Sequence, residues 1–78
     1  MDRNEVIAQL IEMAAMAYKV DAATLTEDSN LNDIGTSSSL RVAMAASIEN
    51  EWDVMVPVAS FGKYNSIGEL ADYVLEEA

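Results

Sequence analysis

Wherever apolar residues recur in this chain they do so at three- and four-residue steps, and nowhere do they alternate. That is the helical period, with one apolar stripe per segment and no half-buried strand. In NEVIAQLIEMAAMAYK the stripe is Ile7, Leu10, Ile11, Ala14, Ala17 and Tyr18. Asp2 followed three residues later by Glu5 fits an N-terminal capping pattern. A second helix is expected from Ser38 to Trp52, with Val42, Ala45, Ile48 and Trp52 as its buried face. Pro57 in VMVPVAS breaks the pattern and forces a turn. Ser66-Ile67-Gly68-Glu69 is a capping box opening the last helix, whose Ile67, Leu70, Ala71 and Val74 face inward. The expected class is all-α: a small bundle of three main helices, with Ala59–Tyr64 as a candidate short helix beside them.

Between the first two helices, VDAATLTEDSNLNDIG scatters Val20, Leu25, Leu31 and Ile34 among Asp, Asn, Ser and Thr. Isolated apolar anchors in a polar stretch describe an ordered loop pinned to a core. Met1–Arg3 and Glu76–Ala78 offer no apolar anchor and are expected to fray. Trp52 is expected as a core anchor, and Met13, Met16, Met44 and Met55 as adaptable core filler. Tyr18, Tyr64 and Tyr73 read as amphipathic edge residues.

A chain of 78 residues is expected to form one domain, spanning 1–78, near the size where a single core becomes marginal. Cysteine is absent, which removes disulfides, thiolate metal sites and cysteine nucleophiles together. Histidine is absent too, which excludes serine–histidine catalysis and the commonest metal ligand within this chain. Clustered carboxylates without histidine or ligand spacing describe a solvated face, so neither an enzyme nor a metal site is expected; Glu27–Asp28 and Asp33 offer at most weak binding of a divalent ion. Fourteen acidic residues against four basic ones give a net charge of −10. Such a surface repels nucleic acid and anionic lipid, and favours partners with basic patches. No apolar run is long enough to span a bilayer and no export signal is visible, so a cytoplasmic location is expected.

One short stretch exceeds what folding asks for. Asp33–Ser39 reads DIGTSSS, directly before the second helix. One hydroxyl can cap the helix, and the others can simply be solvated turn residues. A serine at an exposed helix start can instead be a covalent attachment point, with backbone N–H dipoles suited to an attached phosphate.

The surroundings favour attachment. Asp33-Ile34-Gly35, a serine three residues after the glycine, and a helix ending Ile48-Glu49-Asn50-Glu51-Trp52 together resemble the acyl carrier protein family. Val54-Met55-Val56-Pro57 and Ser66-Ile67-Gly68-Glu69-Leu70-Ala71-Asp72-Tyr73-Val74 resemble its later segments, and Val20, Leu25 and Leu31 its loop anchors. The likeness runs from about Glu5 to Val74; no single piece is specific, but the ordered set is. In the family, glycine, any residue, Asp, the modified Ser and Leu follow one another, and here Gly35, Thr36, Ser37, Ser38 and Ser39 hold those places. Counting back from Trp52 also lands on Ser38.

The resemblance implies carriage. A phosphopantetheinyl transferase would attach 4′-phosphopantetheine from coenzyme A to Ser38, and acyl groups would ride as thioesters on the imported thiol. Acyl-loading, condensing and acyl-transfer enzymes would be the partners of a monomeric carrier. Docking would fall on the second helix, at Ser37, Ser39, Leu40, Arg41, Met44 and Glu49. Met44, Met55, Ala45 and Ile48 are a lesser candidate for a slot that shelters the acyl chain.

Two positions depart from the family pattern: Ser37 stands for Asp and Ser39 for Leu. Serine still caps, but the charge beside Ser38 is gone, and Leu40 replaces the apolar group one position later. The outward face of the second helix reads Arg41, Ala43, Ala46, Ser47 and Asn50, with acidity displaced to Glu27, Asp28, Asp53, Asp72, Glu76 and Glu77. A weakly charged face is either neutral drift on a solvated surface or the mark of a dedicated partner set, and the second reading points to a specialised fatty-acid-like or polyketide-like pathway. Two other readings stay open here: an aminoacyl or peptidyl carrier, and a degenerate carrier serving only as a protein-interaction module.

Overall fold

The computed structural model describes residues 1–78. Four α-helices form in order, α1 (Arg3–Tyr18), α2 (Leu31–Ile34), α3 (Ser38–Trp52) and α4 (Ile67–Glu77), and there is no strand. Two 3-10 turns, Ala22–Thr24 and Val58–Lys63, complete the chain. The three long helices are those the apolar stripes predict, and the candidate element after Pro57 is the second 3-10 turn. The loop between α1 and α3 holds more structure than its polarity suggests, because Asn30 caps the single turn of α2 through its side chain.

Caps account for the helix starts. The Asp2 carboxylate accepts from the Asn4 N–H at 3.1 Å, and the Ser66 hydroxyl accepts from the Glu69 N–H at 3.1 Å. The return bond of the α4 box goes one residue early, with the Asn65 N–H donating to Glu69 Oε2 at 3.2 Å. α1 and α3 stop at Lys19 and Asp53, both left-handed at φ 57. Non-glycine residues rarely occupy that region, so neither stop was visible as a glycine signal.

α1 packs against both α3 and α4. Val6, Leu10 and Ala14 from α1 meet Met44 and Ile48 from α3 and Ile67, Leu70, Ala71 and Val74 from α4. Phe61 in the second 3-10 turn is the largest fully buried side chain. Leu25, Leu31, Val54 and Val56 are buried anchors from the connecting segments.

The buried face of α3 differs from the expected one. Val42 is 54 % exposed, and Met44 takes the interior place at 0 %. Apolar residues fill positions 40, 42–46 and 48, so several rotations of this helix satisfy its own pattern. Packing selects the rotation that buries a flexible thioether and leaves the stiff valine in solvent. Trp52 is only half-buried, at the last turn before the chain reverses, so Phe61 holds the central place expected of it. Met16 and Met55 are largely exposed and fill no core gap. Tyr18 is buried, whereas Tyr64 and Tyr73 do lie half-exposed with ring centroids 5.7 Å apart.

The N-terminal end is tethered. Arg3 Nε donates to Asp72 Oδ1 at 2.8 Å and its Nη1 to Glu27 Oε2 at 3.0 Å. Those bonds join α1, the loop and α4. Backbone bonds from Ile67 N–H to Ser29 O and from Gly68 N–H to Glu27 O hold the same loop on the start of α4. At the other end, Glu76 and Glu77 are still within α4, so neither terminus frays as far as the absence of apolar anchors suggests.

Candidate functional site

The start of α3 is assembled by three segments. Gly35 ends α2 in an extended conformation, φ 178, which any residue could adopt. The space is tight instead: a Cβ there would lie 3.1 Å from Tyr18 Cδ1 and 3.2 Å from Leu40 Cδ1. Gly35 is thus not a flexible joint but the place where the loop passes tightly over Tyr18.

Beyond it, Thr36, Ser37, Ser38 and Ser39 are all exposed. Ser37 stands at the N-cap position with extended backbone, yet its hydroxyl makes no capping bond. The first helical bond runs from the Arg41 N–H to Ser37 O at 3.2 Å, and the N–H groups of Ser38, Ser39 and Leu40 have no acceptor. α1, α2 and α4 each begin with a side chain accepting such a donor. The expected Ser37 cap does not form.

Arg41 lies one turn beyond Ser38 and is half-buried. Its Nη2 donates to Asn32 Oδ1 at 2.6 Å. Asn32 in turn donates from Nδ2 to Gly62 O at 3.5 Å, so the pair spans α3, α2 and the second 3-10 turn. Beside it the Tyr18 hydroxyl is buried, with the Arg41 guanidinium close by but no hydrogen bond of good geometry between them. Burial pushes that hydroxyl above its usual pKa of 10.0, and the nearby Arg41 guanidinium works against the shift.

The expected docking residues separate by exposure. Ser37, Ser39 and Glu49 are exposed, and Leu40 and Arg41 are half-buried. Met44 is completely buried and cannot meet a partner. The residue missed is Val42, exposed four positions after Ser38 and therefore on the same side of the helix. Its signal was available as one apolar residue too many for a single stripe.

The expected acyl slot does not form either. Met44 and Ile48 are sealed in the core, and Met55 is 70 % exposed. The larger opening, about 510 Å³, is a groove between α1 and α3 lined by Gln9, Glu12, Met13, Met16, Ala17, Ala43, Ser47 and Glu51. A second, of about 230 Å³, lies between Val20, Leu25, Ser29 and Asp33. No three His, Cys, Asp or Glu side chains are grouped to hold a metal ion. No helix is long and apolar enough to cross a membrane.

This arrangement is an exposed hydroxyl on the first turn of a long helix, beside N–H donors that have no acceptor within the chain. The family model described as "Phosphopantetheine attachment site" matches residues 8–74, and the chain belongs to that family. It is therefore a phosphopantetheine-carrying carrier protein: members hold covalent 4′-phosphopantetheine and are carriers, not catalysts. No solved structure matches the chain. The residues present fit the group. A phosphodiester at the start of α3 would accept from the donors that Ser37 leaves free, and the arm supplies the thiol that this cysteine-free chain lacks.

Proposed function

We propose that the chain is an acyl carrier protein whose arm is attached at Ser38. The observation that carries this is local: Ser38 is the first residue of α3, exposed, and flanked by backbone donors with no acceptor. Attachment by a phosphopantetheinyl transferase forms a phosphorus–oxygen bond to Ser38 Oγ. It breaks the corresponding bond to the adenosine bisphosphate of coenzyme A, and the hydroxyl proton leaves. The distal thiol then carries acyl groups as thioesters between acyl-loading, condensing and acyl-transfer enzymes.

The docking face in this reading comprises Ser37, Ser39, Leu40, Arg41 and Glu49, joined by Val42. Its low charge, set against a chain at −10, supports partners of a specialised fatty-acid-like or polyketide-like pathway in the cytoplasm, with the carrier monomeric. The same low charge also suits an aminoacyl or peptidyl carrier.

Intact mass after incubation with coenzyme A and a broad-specificity transferase tests the attachment. The parent, Ser37→Ala and Ser39→Ala gain the arm, and Ser38→Ala does not. A gain that persists in Ser38→Ala and vanishes in Ser39→Ala moves the site by one residue. No gain in any form leaves the interaction-module reading ahead. Loading of the attached thiol by acyl or by aminoacyl donors then separates the two kinds of carrier.

A further inference from the structure

The groove between α1 and α3 has no role in the attachment at Ser38, and its lining is one-sided. It exists because the facing side chains are short. Ala43 and Ser47 line it from α3 and Ala17 from α1, so the two helices leave a gap that nothing in the chain fills. Met13 and Met16 continue the apolar surface, and Met16 is 82 % exposed. Every charged residue of the lining is acidic. Glu12 and Glu51 are exposed and unpaired, since both ion pairs in the structure belong to Arg3. Gln9 Oε1 is buried and accepts no hydrogen bond, and the Ser47 hydroxyl already donates to Ala43 O at 3.1 Å. The groove thus offers apolar surface and oxygen acceptors, with no cation among them.

We propose that this groove is a docking site for a cationic amphipathic helix of a partner protein, with an apolar stripe flanked by lysine or arginine. The lined stretch of each helix, from Gln9 to Ala17 and from Ala43 to Glu51, runs about 12 Å at 1.5 Å per residue. That length takes apolar anchors at i, i+3 or i+4, and i+7 of a docked helix, and methionines adapt their shape to such anchors. Charge selects the occupant. Glu12 and Glu51 suit cations at its edge, whereas a second copy of this chain, at −10, is repelled. Position separates the site from the serines. At 100° per residue, Ala43, Ser47 and Glu51 lie about 140–180° around α3 from Ser38, while Val42 and Glu49 lie within about 40° of it. A helix in the groove therefore leaves Ser38 and its face open, and a protein held there stays bound while other enzymes reach the serine.

The probe is a synthetic peptide of about 14 residues, four turns of helix, with leucines in one stripe and lysines elsewhere. Its binding is followed by calorimetry and by NMR of the amides and methionine methyls. Binding shifts the Met13 and Met16 methyls and the Ala17, Ala43 and Ser47 amides, and leaves Ser38 and Ser39 in place. Glu12→Gln with Glu51→Gln weakens it about fivefold. Ala43→Leu, which fills the groove without changing charge at an exposed position, weakens it about threefold or more. Glu76→Gln with Glu77→Gln, the same loss of charge at the end of α4, leaves it within about twofold. Ser38→Ala binds as the parent does, so this site and the attachment reading stand or fall apart. Equal losses in the two double variants, or equal binding of a peptide with its leucine stripe scrambled, mean a general attraction of charge and overturn the proposal. Shifts centred on Ser38, Val42 and Glu49, or no binding at about 1 mM peptide, overturn it too. If the same shifts appear on concentrating the chain alone, a second copy is the occupant and the proposal is wrong.

Discussion

Exchanging the expected roles of Val42 and Met44 has a measurable consequence. Met44→Ala removes Cγ, Sδ and Cε from a side chain with no exposed surface. At about 0.8 kcal/mol per methylene-sized group, transfer alone contributes about 2 kcal/mol. The unfilled cavity adds to it, for an expected total of about 3 kcal/mol within the usual 2–5. Val42 is 54 % exposed, so Val42→Ala forfeits little burial and recovers about half a kcal/mol of helix propensity. Its net effect should lie within about 0.5 kcal/mol of zero. A 78-residue domain is stable by roughly 4–12 kcal/mol, so the first substitution removes a quarter or more of the whole and the second almost nothing. Urea unfolding followed by helical circular dichroism measures both, with a Tm loss of roughly 12–24 °C expected for Met44→Ala. The comparison also reaches the site, because Val42 and Ser38 lie within about 40° of each other around the helix. Were Val42 interior, Ser38 would turn inward with it. A Val42→Ala cost equal to or above that of Met44→Ala would refute this orientation of α3 and the exposure of Ser38 together.

Other perturbations test the floor beneath the serines. Tyr18→Phe deletes a buried hydroxyl that makes no well-formed hydrogen bond, so at neutral pH it should be neutral or stabilising by up to about 1 kcal/mol in urea unfolding. The raised Tyr18 pKa contributes stability that is complete below the unfolded value near 10.0 and is lost as pH climbs through the folded value. Urea midpoints should therefore fall less in Tyr18→Phe than in the parent between about pH 9 and 11, the residual slope belonging to Tyr64, whose pKa burial also raises. Gly35→Ala should cost about 1–3 kcal/mol, because its methyl would press on Tyr18 and Leu40; a change under about 0.5 would mean that the loop does not pass over the ring. Added salt at neutral pH should raise Tm, since both ion pairs are exposed and weak while a charge of −10 is screened. A steady fall with salt would place specific ion pairs above the general repulsion.

The all-α class and the approximate spans of the long helices were legible in the chain because each rests on local rules. Stripes at three- and four-residue steps define α1 and α4, and side-chain oxygens at Asp2 and Ser66 mark where they start. What tertiary structure alone decided is the rotation of α3, the failure of Ser37 to cap and the surroundings of Arg41. A helix with apolar residues on nearly every side has no preferred face until α1 and the second 3-10 turn pack against it, and they chose Met44 over Val42. The same packing draws Gly35 over Tyr18, seals the tyrosine hydroxyl and brings Asn32 to Arg41 across nine residues. Arg3 meets Asp72 across 69 residues, a pairing that no local pattern encodes. Periodicity and capping act over one or two turns of chain, so the sequence states them openly. Which face is buried and which charge lies near which depend on residues far apart in sequence, and only the packed bundle brings those together.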